Sequence, residues 1–130
     1  MGEDIMYLID TNILIYHFNG TIPDESATKV NKIFKEDFNI SVITEMEFLG
    51  FRKHTEESFR KAKHFLGYCS VVGLDDDIVN LVIDIRRNHN IKLPDAIIAA
   101  KAIFNDYNLV TRNTKDFQKL EINIYNPFDV

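Results

Sequence analysis

The chain has 130 residues, a formal net charge of -5 at pH 7, and compositions of 45% hydrophobic and 27% charged residues. These values are typical of a folded globular protein and exclude a disordered or fibrous class. The acidic balance argues against a broad basic surface for nucleic acid, but it is compatible with a local basic patch and with carboxylates neutralised by divalent cations. We therefore expect a single domain over residues 1–130.

Nothing in the sequence predicts a membrane span or a secretory signal. The longest apolar stretches are too short to cross a bilayer, and residues 1–4 are acidic where a signal peptide would be basic. Cys69 is the only cysteine, which excludes an internal disulfide and a cysteine-rich zinc site. It falls on an apolar helix face, where a buried thiol is expected. We expect a cytoplasmic protein with no membrane association.

The first half of the chain predicts strands at residues 6–9 and 40–43, each followed by a helix. Asp10 ends the first strand. Thr44 opens the helix after the second strand, within a Thr-Glu-Met-Glu sequence that matches a capping box. Between them, a turn at residues 19–23 leads into a further helix.

The second half continues the alternation of strands and helices. One predicted helix is apolar nearly all round and is expected to be central and buried, with proline in its first turn. The predicted helices start at Thr55, after the acids at 75–77, and at Pro94, and the predicted strands are 70–74, 108–111 and 122–125. This alternation is typical of an α/β sandwich, in which helices flank a central, mostly parallel sheet.

Four acids share one kind of position. Asp10 ends the first strand, Glu47 lies in the first turn of the helix after the second, Asp95 opens the apolar helix, and Asp116 follows the fourth strand. Right-handed crossovers bring such positions to one edge of a parallel sheet, where ligands bind. Converging carboxylates suit Mg²⁺ or Mn²⁺, and a set without histidine or cysteine argues against zinc.

Each acid also has a purely structural explanation. Asp10 could cap the following helix, Glu47 could complete the capping box, and Asp116 could cap a turn or be solvated. Asp95 could complement the helix dipole, but an acid leading into such an apolar helix would be partly buried, which is costly unless it is paired or metal-bound. Their shared position is what favours a functional site.

Four segments of the chain resemble the motifs of the PIN domain family, and within it the VapC-type toxins of toxin–antitoxin pairs. The resemblance spans nearly all 130 residues, and four motifs in order are a much stronger signal than Asp-Thr-Asn alone. The segments are Tyr7-Leu8-Ile9-Asp10-Thr11-Asn12, Ser41 to Gly50, Leu93-Pro94-Asp95-Ala96-Ile97-Ile98-Ala99-Ala100 and Leu109 to Phe117.

The resemblance implies a PIN-like three-layer fold and a metal-dependent endoribonuclease that hydrolyses RNA phosphodiester bonds with Mg²⁺ or Mn²⁺. It also implies an antitoxin partner and a homodimer. The acids that match the family's site are Asp10, Glu47 and Asp95, and the fourth is Asp116 or is replaced by Asn113, which we expect to assist Asp116. The groups expected to orient the carboxylates or waters are Thr11, Asn12 and Thr111.

Two kinds of surface are less well defined by the sequence. Arg52, Lys53 and Arg112 are candidates for holding the phosphate backbone, although each is individually more typical of solvated surface charge. The four histidines show no ligand spacing. A partner protein is expected to use a hydrophobic groove on the helices around residues 27–38 and 48–65.

Three alternatives remain beside the toxin ribonuclease. A phosphatase of the haloacid dehalogenase type needs a second acid two residues after the first, and Asn12 stands there. A non-catalytic module that binds RNA or a partner has no reason to keep four costly carboxylates. An RNA-processing nuclease without an antitoxin fits the same residues.

Overall fold

A five-stranded parallel sheet forms the centre of the protein. The computed structural model describes residues 5–129, so residues 1–4, on which the expectation about a secretory signal rests, lie outside the described residues. The strands are β1 (Tyr7–Ile9), β2 (Asn39–Ser41), β3 (Ser70–Val72), β4 (Asn108–Val110) and β5 (Asn123–Tyr125). All neighbouring pairs are parallel, in the spatial order β3-β2-β1-β4-β5.

Helices connect the strands and cover both faces of the sheet. They are α1 (Thr11–Phe18), α2 (Asp24–Glu36), α3 (Val42–Leu49), α4 (Glu56–Leu66), α5 (Asp76–Asn88), α6 (Leu93–Phe104) and α7 (Thr114–Phe117). The predicted α/β architecture, with a parallel sheet between helical layers, is therefore confirmed. None of the helices in the described part of the chain is long and apolar enough to cross a membrane.

Alternate residues of the central strands enter two separate apolar cores. Leu8 and Leu109 pack with α5 and α6 on one face of the sheet, while Ile9 and Val110 pack with α1, α2 and α4 on the other. All four side chains are at most 1% exposed. This continuous apolar character, without a polar face, is why β1 and β4 read as buried parallel strands in the sequence.

The strand order puts a topological switch point beside β1. From β1 the chain moves through β2 to β3 on one side, and then returns to place β4 and β5 on the other side. The backbone N–H of Asp10 donates to the carbonyl of Val110 at 2.9 Å, so the ends of β1 and β4 are joined directly. In open α/β sheets the crevice at this point is where ligands bind.

The boundary between β2 and α3 differs from the prediction. The strand ends at Ser41 and the helix begins at Val42, although β-branched Val42 and Ile43 favoured a longer strand in the sequence. The Ser41 hydroxyl caps the helix by accepting from the N–H of Ile43 at 3.2 Å. Thr44 is therefore inside the helix and fully buried, and the predicted capping box from Thr44 to Glu47 is wrong.

Two other sequence predictions can be compared directly. The central position of α6 is confirmed, since its buried residues are Ala96, Ile97, Ile98, Ala99, Ala100 and Ala102. Cys69 was expected on a helix face, but α4 ends at Leu66 and Cys69 lies in the following turn. Its thiol is half-buried and donates to the carbonyl of Leu66 at 3.0 Å. Burial raises the pKa of this thiol to about 11.

Candidate functional site

Asp10 lies at the switch point and is 4% exposed. Its carboxylate accepts three hydrogen bonds: from the N–H of Thr11 at 2.8 Å, from Asn12 Nδ2 at 3.0 Å, and from Thr111 Oγ1 at 2.8 Å. The bond from Thr11 is a helix cap of α1, while the bond from Thr111 crosses from β1 to β4. Asp10 therefore caps α1, as one of its two interpretations expected, and it lies at the sheet edge where the other interpretation placed a functional acid.

Glu47 reaches the same end of the sheet from the second turn of α3, not from its first. Its Oε1 accepts from Thr11 Oγ1 at 2.7 Å, and Thr44 Oγ1 lies 3.0 Å from the same hydroxyl. Thr11 thus links α1 to α3 and fixes one carboxylate oxygen of an otherwise exposed glutamate. Thr44 was not predicted to take part, because the sequence placed it as a helix cap.

Asp95 and Asp116 line a pocket of about 240 Å³ at this edge, together with Asn90, Ile91 and Lys92. Asp95 is the third residue of α6 and is half-buried, as its position before an apolar helix predicted. Asp116 lies exposed in α7. Lys92, which precedes α6, was not identified from the sequence, because an isolated lysine in a loop carries no distinguishing pattern.

Asn113 is hydrogen-bonded to Asp116, the acid that it was expected to assist. Its Nδ2 donates to Asp116 Oδ2 at 2.6 Å, and its backbone N–H donates to Thr111 Oγ1 at 2.9 Å. A network of hydrogen bonds consequently runs from Asp116 through Asn113 and Thr111 to Asp10. The amide holds the carboxylate by donating to it, which orients Asp116 toward the pocket wall shared with Asp95.

Burial and the charges of neighbouring carboxylates raise the pKa values of Asp10 and Asp95. Burial raises the pKa of Asp10 to about 6, against the bonds from Thr111 and Thr11, and the charges of Asp95 and Glu47 raise it further. Burial also raises the pKa of Asp95, and the charges of Asp116 and Glu47 raise it further. The positive charge of Lys92 lowers it. All four acids are thus electrostatically coupled.

A divalent cation matches the chemistry of these residues. The donors are carboxylate oxygens, which Mg²⁺ and Mn²⁺ prefer, and none of the four acids forms an ion pair with a described lysine, arginine or histidine. Among residues 5–129, no three acidic, histidine or cysteine side chains are arranged closely enough to form a complete ligand set for one ion. A bound cation would reduce the repulsion between these carboxylates.

The basic residues predicted to hold phosphate are divided between two places. Arg112 follows Thr111 at the edge with the acids, and its N–H donates to Asn12 Oδ1 at 3.4 Å. Lys53 lines a different cavity, and Arg52 lies exposed beside it in the same loop after α3. The structure thus brings Arg112 to the acids and sets Lys53 apart from them.

That second cavity is an apolar groove of about 170 Å³ between α1, α3 and α4. Its lining residues are Ile15, Phe18, Asn19, Phe48, Phe51, Lys53, His54 and Ser58. It overlaps the predicted partner surface at 48–65, whereas the apolar residues of α2 at 27–38 pack mostly into the core. His54 is held there by Ser58 Oγ at 3.0 Å and the carbonyl of Phe48 at 2.9 Å, consistent with a structural histidine.

Comparisons with known proteins match both the sequence and the fold. Ribonuclease VapC1 of Methanocaldococcus jannaschii is 29% identical over 125 residues, which cover 92% of this chain and 84% of that protein. A chain of a toxin–antitoxin complex from Klebsiella pneumoniae is 31% identical, with a TM-score of 0.78 over 95% of this chain and 99% of that one. A chain of DNA-bound VapBC from Salmonella typhimurium has a TM-score of 0.82 at 23% identity over 95% and 98%, and shows the shared fold.

The family model for the PIN domain matches residues 7–123, a span that runs from the start of β1 into β5. All four acids of the candidate site lie inside that span. The resemblance inferred from the sequence is confirmed: the chain belongs to the PIN domain family.

Proposed function

We propose that this protein is a divalent-metal-dependent endoribonuclease, and that it is the toxin of a toxin–antitoxin pair. The observation that carries the nuclease part is the buried carboxylate of Asp10, which faces Asp95 and Glu47 without a cationic partner among the described residues. Asp10 caps α1 and accepts three hydrogen bonds, but none of these neutralises its charge, and a buried charge is normally paired or bound to a metal.

Asp10 and Asp95 would be the principal ligands of Mg²⁺ or Mn²⁺, and Glu47 and Asp116 would complete the set. When bound, the metal would lower the pKa of a coordinated water and stabilise negative charge on the phosphate. We propose that the functional unit is the whole 130-residue chain as one domain.

The chain's own residues would mainly hold these groups in place. Thr111 and Asn12 fix Oδ2 of Asp10. Thr11 fixes Oε1 of Glu47, while Oε2 of Glu47 accepts no hydrogen bond from a described residue. Glu47 is exposed, and only one of its carboxylate oxygens accepts a hydrogen bond from a described residue. This suits a group that completes the ligand set or accepts the proton of the attacking water. Asn113 would hold Asp116 in the same way.

Cleavage of RNA by the purified protein tests the nuclease proposal. We expect single-stranded RNA to be cut with Mg²⁺ or Mn²⁺, cleavage to stop with EDTA, and excess metal to restore it. Asp95→Asn should abolish cleavage. Asp76→Asn is a matched control, because Asp76 is an exposed acid in the first turn of α5. Equal cleavage by the wild type and Asp95→Asn would refute the assignment.

The toxin role is supported by the relatives and by the apolar groove. The Klebsiella pneumoniae neighbour comes from a toxin–antitoxin complex and is 31% identical to this chain. An antitoxin of apolar character would cover the groove between α1, α3 and α4, where Phe51 is 52% exposed. An RNA-processing nuclease without an antitoxin is the second candidate, and a homodimer is expected in either case.

Expression in a bacterial host separates the two candidates. A toxin should arrest growth when expressed alone, Asp95→Asn should be harmless, and co-expression of the small protein encoded beside it should restore growth. Wild-type expression that is harmless while the purified protein still cleaves RNA would favour the processing nuclease. Light scattering of the purified protein tests the homodimer.

A further inference from the structure

The guanidinium of Arg112 contacts two aromatic rings, and none of its N–H groups donates a hydrogen bond to a described residue. Its guanidinium carbon lies 4.5 Å from the ring centre of Phe128 and 5.2 Å from that of Tyr16. These two rings contact each other edge to face at 5.4 Å, so they form one aromatic support under the cation. No described carboxylate lies within ion-pair distance of Arg112, which is exposed to solvent.

These aromatic contacts leave the guanidinium N–H groups of Arg112 available to bind a ligand. A cation–π contact holds the guanidinium through its positive charge, and the guanidinium has five N–H donors with which it can bind a phosphate. A structural arginine is normally fixed through those donors by a carboxylate or carbonyl. The geometry therefore points to a cation that is positioned but not neutralised.

The support depends on the last residues that the structure describes. After β5, Asn126 Oδ1 accepts from the N–H of Phe128 at 3.0 Å, and Asn126 also accepts from Asp129 through its carbonyl at 3.1 Å. Pro127 is buried, and Lys29 of α2 donates to the carbonyl of Asp129 at 3.3 Å. The tail is thereby folded back so that Phe128 reaches Tyr16.

Hydrogen bonds connect the backbone around Arg112 to the acidic site. Thr111, which precedes it, bonds Asp10, and the N–H of Arg112 itself reaches Asn12. Tyr16 lies five residues after Thr11 in α1, roughly 7.5 Å along the helix axis at 1.5 Å per residue. The guanidinium therefore contacts α1 more than one helical turn beyond Thr11, the residue that donates to Glu47.

We propose that Tyr16 and Phe128 are positioning residues that hold Arg112 for a backbone phosphate of single-stranded RNA next to the cleavage point. This inference rests on the proposed nuclease function and extends it to the strand outside the acids. In a chain with net charge -5, one unpaired arginine at the edge of a carboxylate cluster supplies the local attraction that the overall charge does not.

Two measurements test this role. The first is the salt dependence of binding of a single-stranded RNA oligonucleotide to protein carrying Asp95→Asn, a background in which cleavage is blocked. Arg112→Gln in that background should lower the slope of log K against log salt by about 0.7, the value for one lost phosphate contact on a single strand. The background itself provides the reference slope.

The second is a steady-state comparison in the otherwise wild-type protein with Mg²⁺. Phe128→Leu should raise KM for RNA by on the order of threefold to fivefold with kcat nearly unchanged, because the cation loses its support while the acids are unaffected. Phe128→Tyr should restore the wild-type KM, since it keeps an aromatic ring. Tyr68→Leu is a matched aromatic control, since Tyr68 is 72% exposed and contacts His64 instead.

The outcomes separate this inference from the function on which it rests. Unchanged KM in Phe128→Leu and an unchanged slope in Arg112→Gln, with normal wild-type cleavage, overturn the role of Arg112 alone. Absence of wild-type cleavage overturns the proposed nuclease, and the binding slope, which needs no cleavage, still decides whether Arg112 contacts RNA. If Arg112→Gln weakens binding of the antitoxin but not of RNA, the arginine serves an acidic protein partner and the proposal fails.

Discussion

Thr111 Oγ1 donates a 2.8 Å hydrogen bond to Oδ2 of Asp10, and this bond joins the carboxyl ends of β4 and β1 across the switch point of the sheet. Thr111 is fully buried and Asp10 nearly so, which makes the bond inaccessible to water. The same hydroxyl accepts from the N–H of Asn113 at 2.9 Å. One threonine therefore fixes the most buried acid of the site and the start of the segment that carries Asp116.

Removing that hydroxyl should impair the metal site without removing a ligand. We expect Thr111→Val to weaken Mg²⁺ or Mn²⁺ binding by roughly 10- to 100-fold, the usual effect of losing a partner that orients a metal ligand. The change also leaves the N–H of Asn113 without its acceptor. Titration with Mn²⁺ measures the affinity, and Thr111→Ser should behave almost as the wild type. Wild-type affinity in Thr111→Val would contradict this role.

Asp95→Asn should leave the metal-free protein as stable as the wild type or more stable. Burial, followed by the charges of Asp116 and Glu47, raises the pKa of Asp95 and so disfavours its ionised form. Its side chain accepts no hydrogen bond within the described residues that the change would break. Urea unfolding at pH 7.5 in EDTA measures the difference. A loss of stability well above 1 kcal/mol would show that Asp95 stabilises the fold by a contact that repulsion does not explain.

The stability of the metal-free protein should depend on pH through Asp10. The pKa of Asp10 is about 6 in the folded protein and 3.8 when unperturbed, so between these values the folded state binds more protons than the unfolded state. The unfolding free energy contributed by Asp10 is therefore highest below pH 4 and falls as the pH rises to about 6, by roughly 3 kcal/mol in total.

The measurement compares the wild type with Asp10→Asn in EDTA from pH 4 to 7.5. The comparison cancels other titrating groups, including His17, whose pKa is lowered by burial. We expect the difference in unfolding free energy to shift steadily in favour of the variant as the pH rises. A difference that is independent of pH would mean that Asp10 stays ionised throughout this range.

The groove offers a prediction about the antitoxin. Phe51→Ser removes an apolar side chain that is about half exposed, so the fold should be retained while complex formation with the antitoxin weakens at least tenfold. Calorimetric titration measures the affinity, and RNA cleavage by the free variant should be unchanged. Tyr68→Ser, outside the groove, is the control. Equal affinity in the two variants would exclude this groove as the main contact.

The sequence predicted the sheet and the position of the acids because these depend on local patterns. A short apolar run that ends in a carboxylate predicts β1. Right-handed crossovers between parallel strands then bring four acids to one edge of the sheet, namely Asp10, Glu47, Asp95 and Asp116. The boundary at Thr44 was predicted wrongly because Val42 and Ile43 favour strands by intrinsic preference, while the cap formed by Ser41 decided the outcome.

Other features depend on contacts between distant segments and leave no local pattern. Arg112 could be identified only as a possible phosphate ligand, since its support comes from Tyr16 in α1 and Phe128 in the tail. Lys92 lies beside Asp95 for a local reason, since it is the N-cap of α6, but the approach of Asp116 in α7 to this pocket depends on the fold. Pairings of this kind become visible only once the fold is known.

The bond between Asp10 and Thr111 spans 101 residues of sequence, and this separation sets the order in which activity can arise during synthesis. A chain that emerges from the ribosome presents Asp10 first, and its hydrogen-bond partner Thr111 follows only 101 residues later. Because Thr111 holds the buried carboxylate in place, a partly made or truncated chain that ends before residue 111 should have no ordered site. A ribonuclease built in this way would be inactive on the ribosome that makes it until the segment that carries residue 111 has been made.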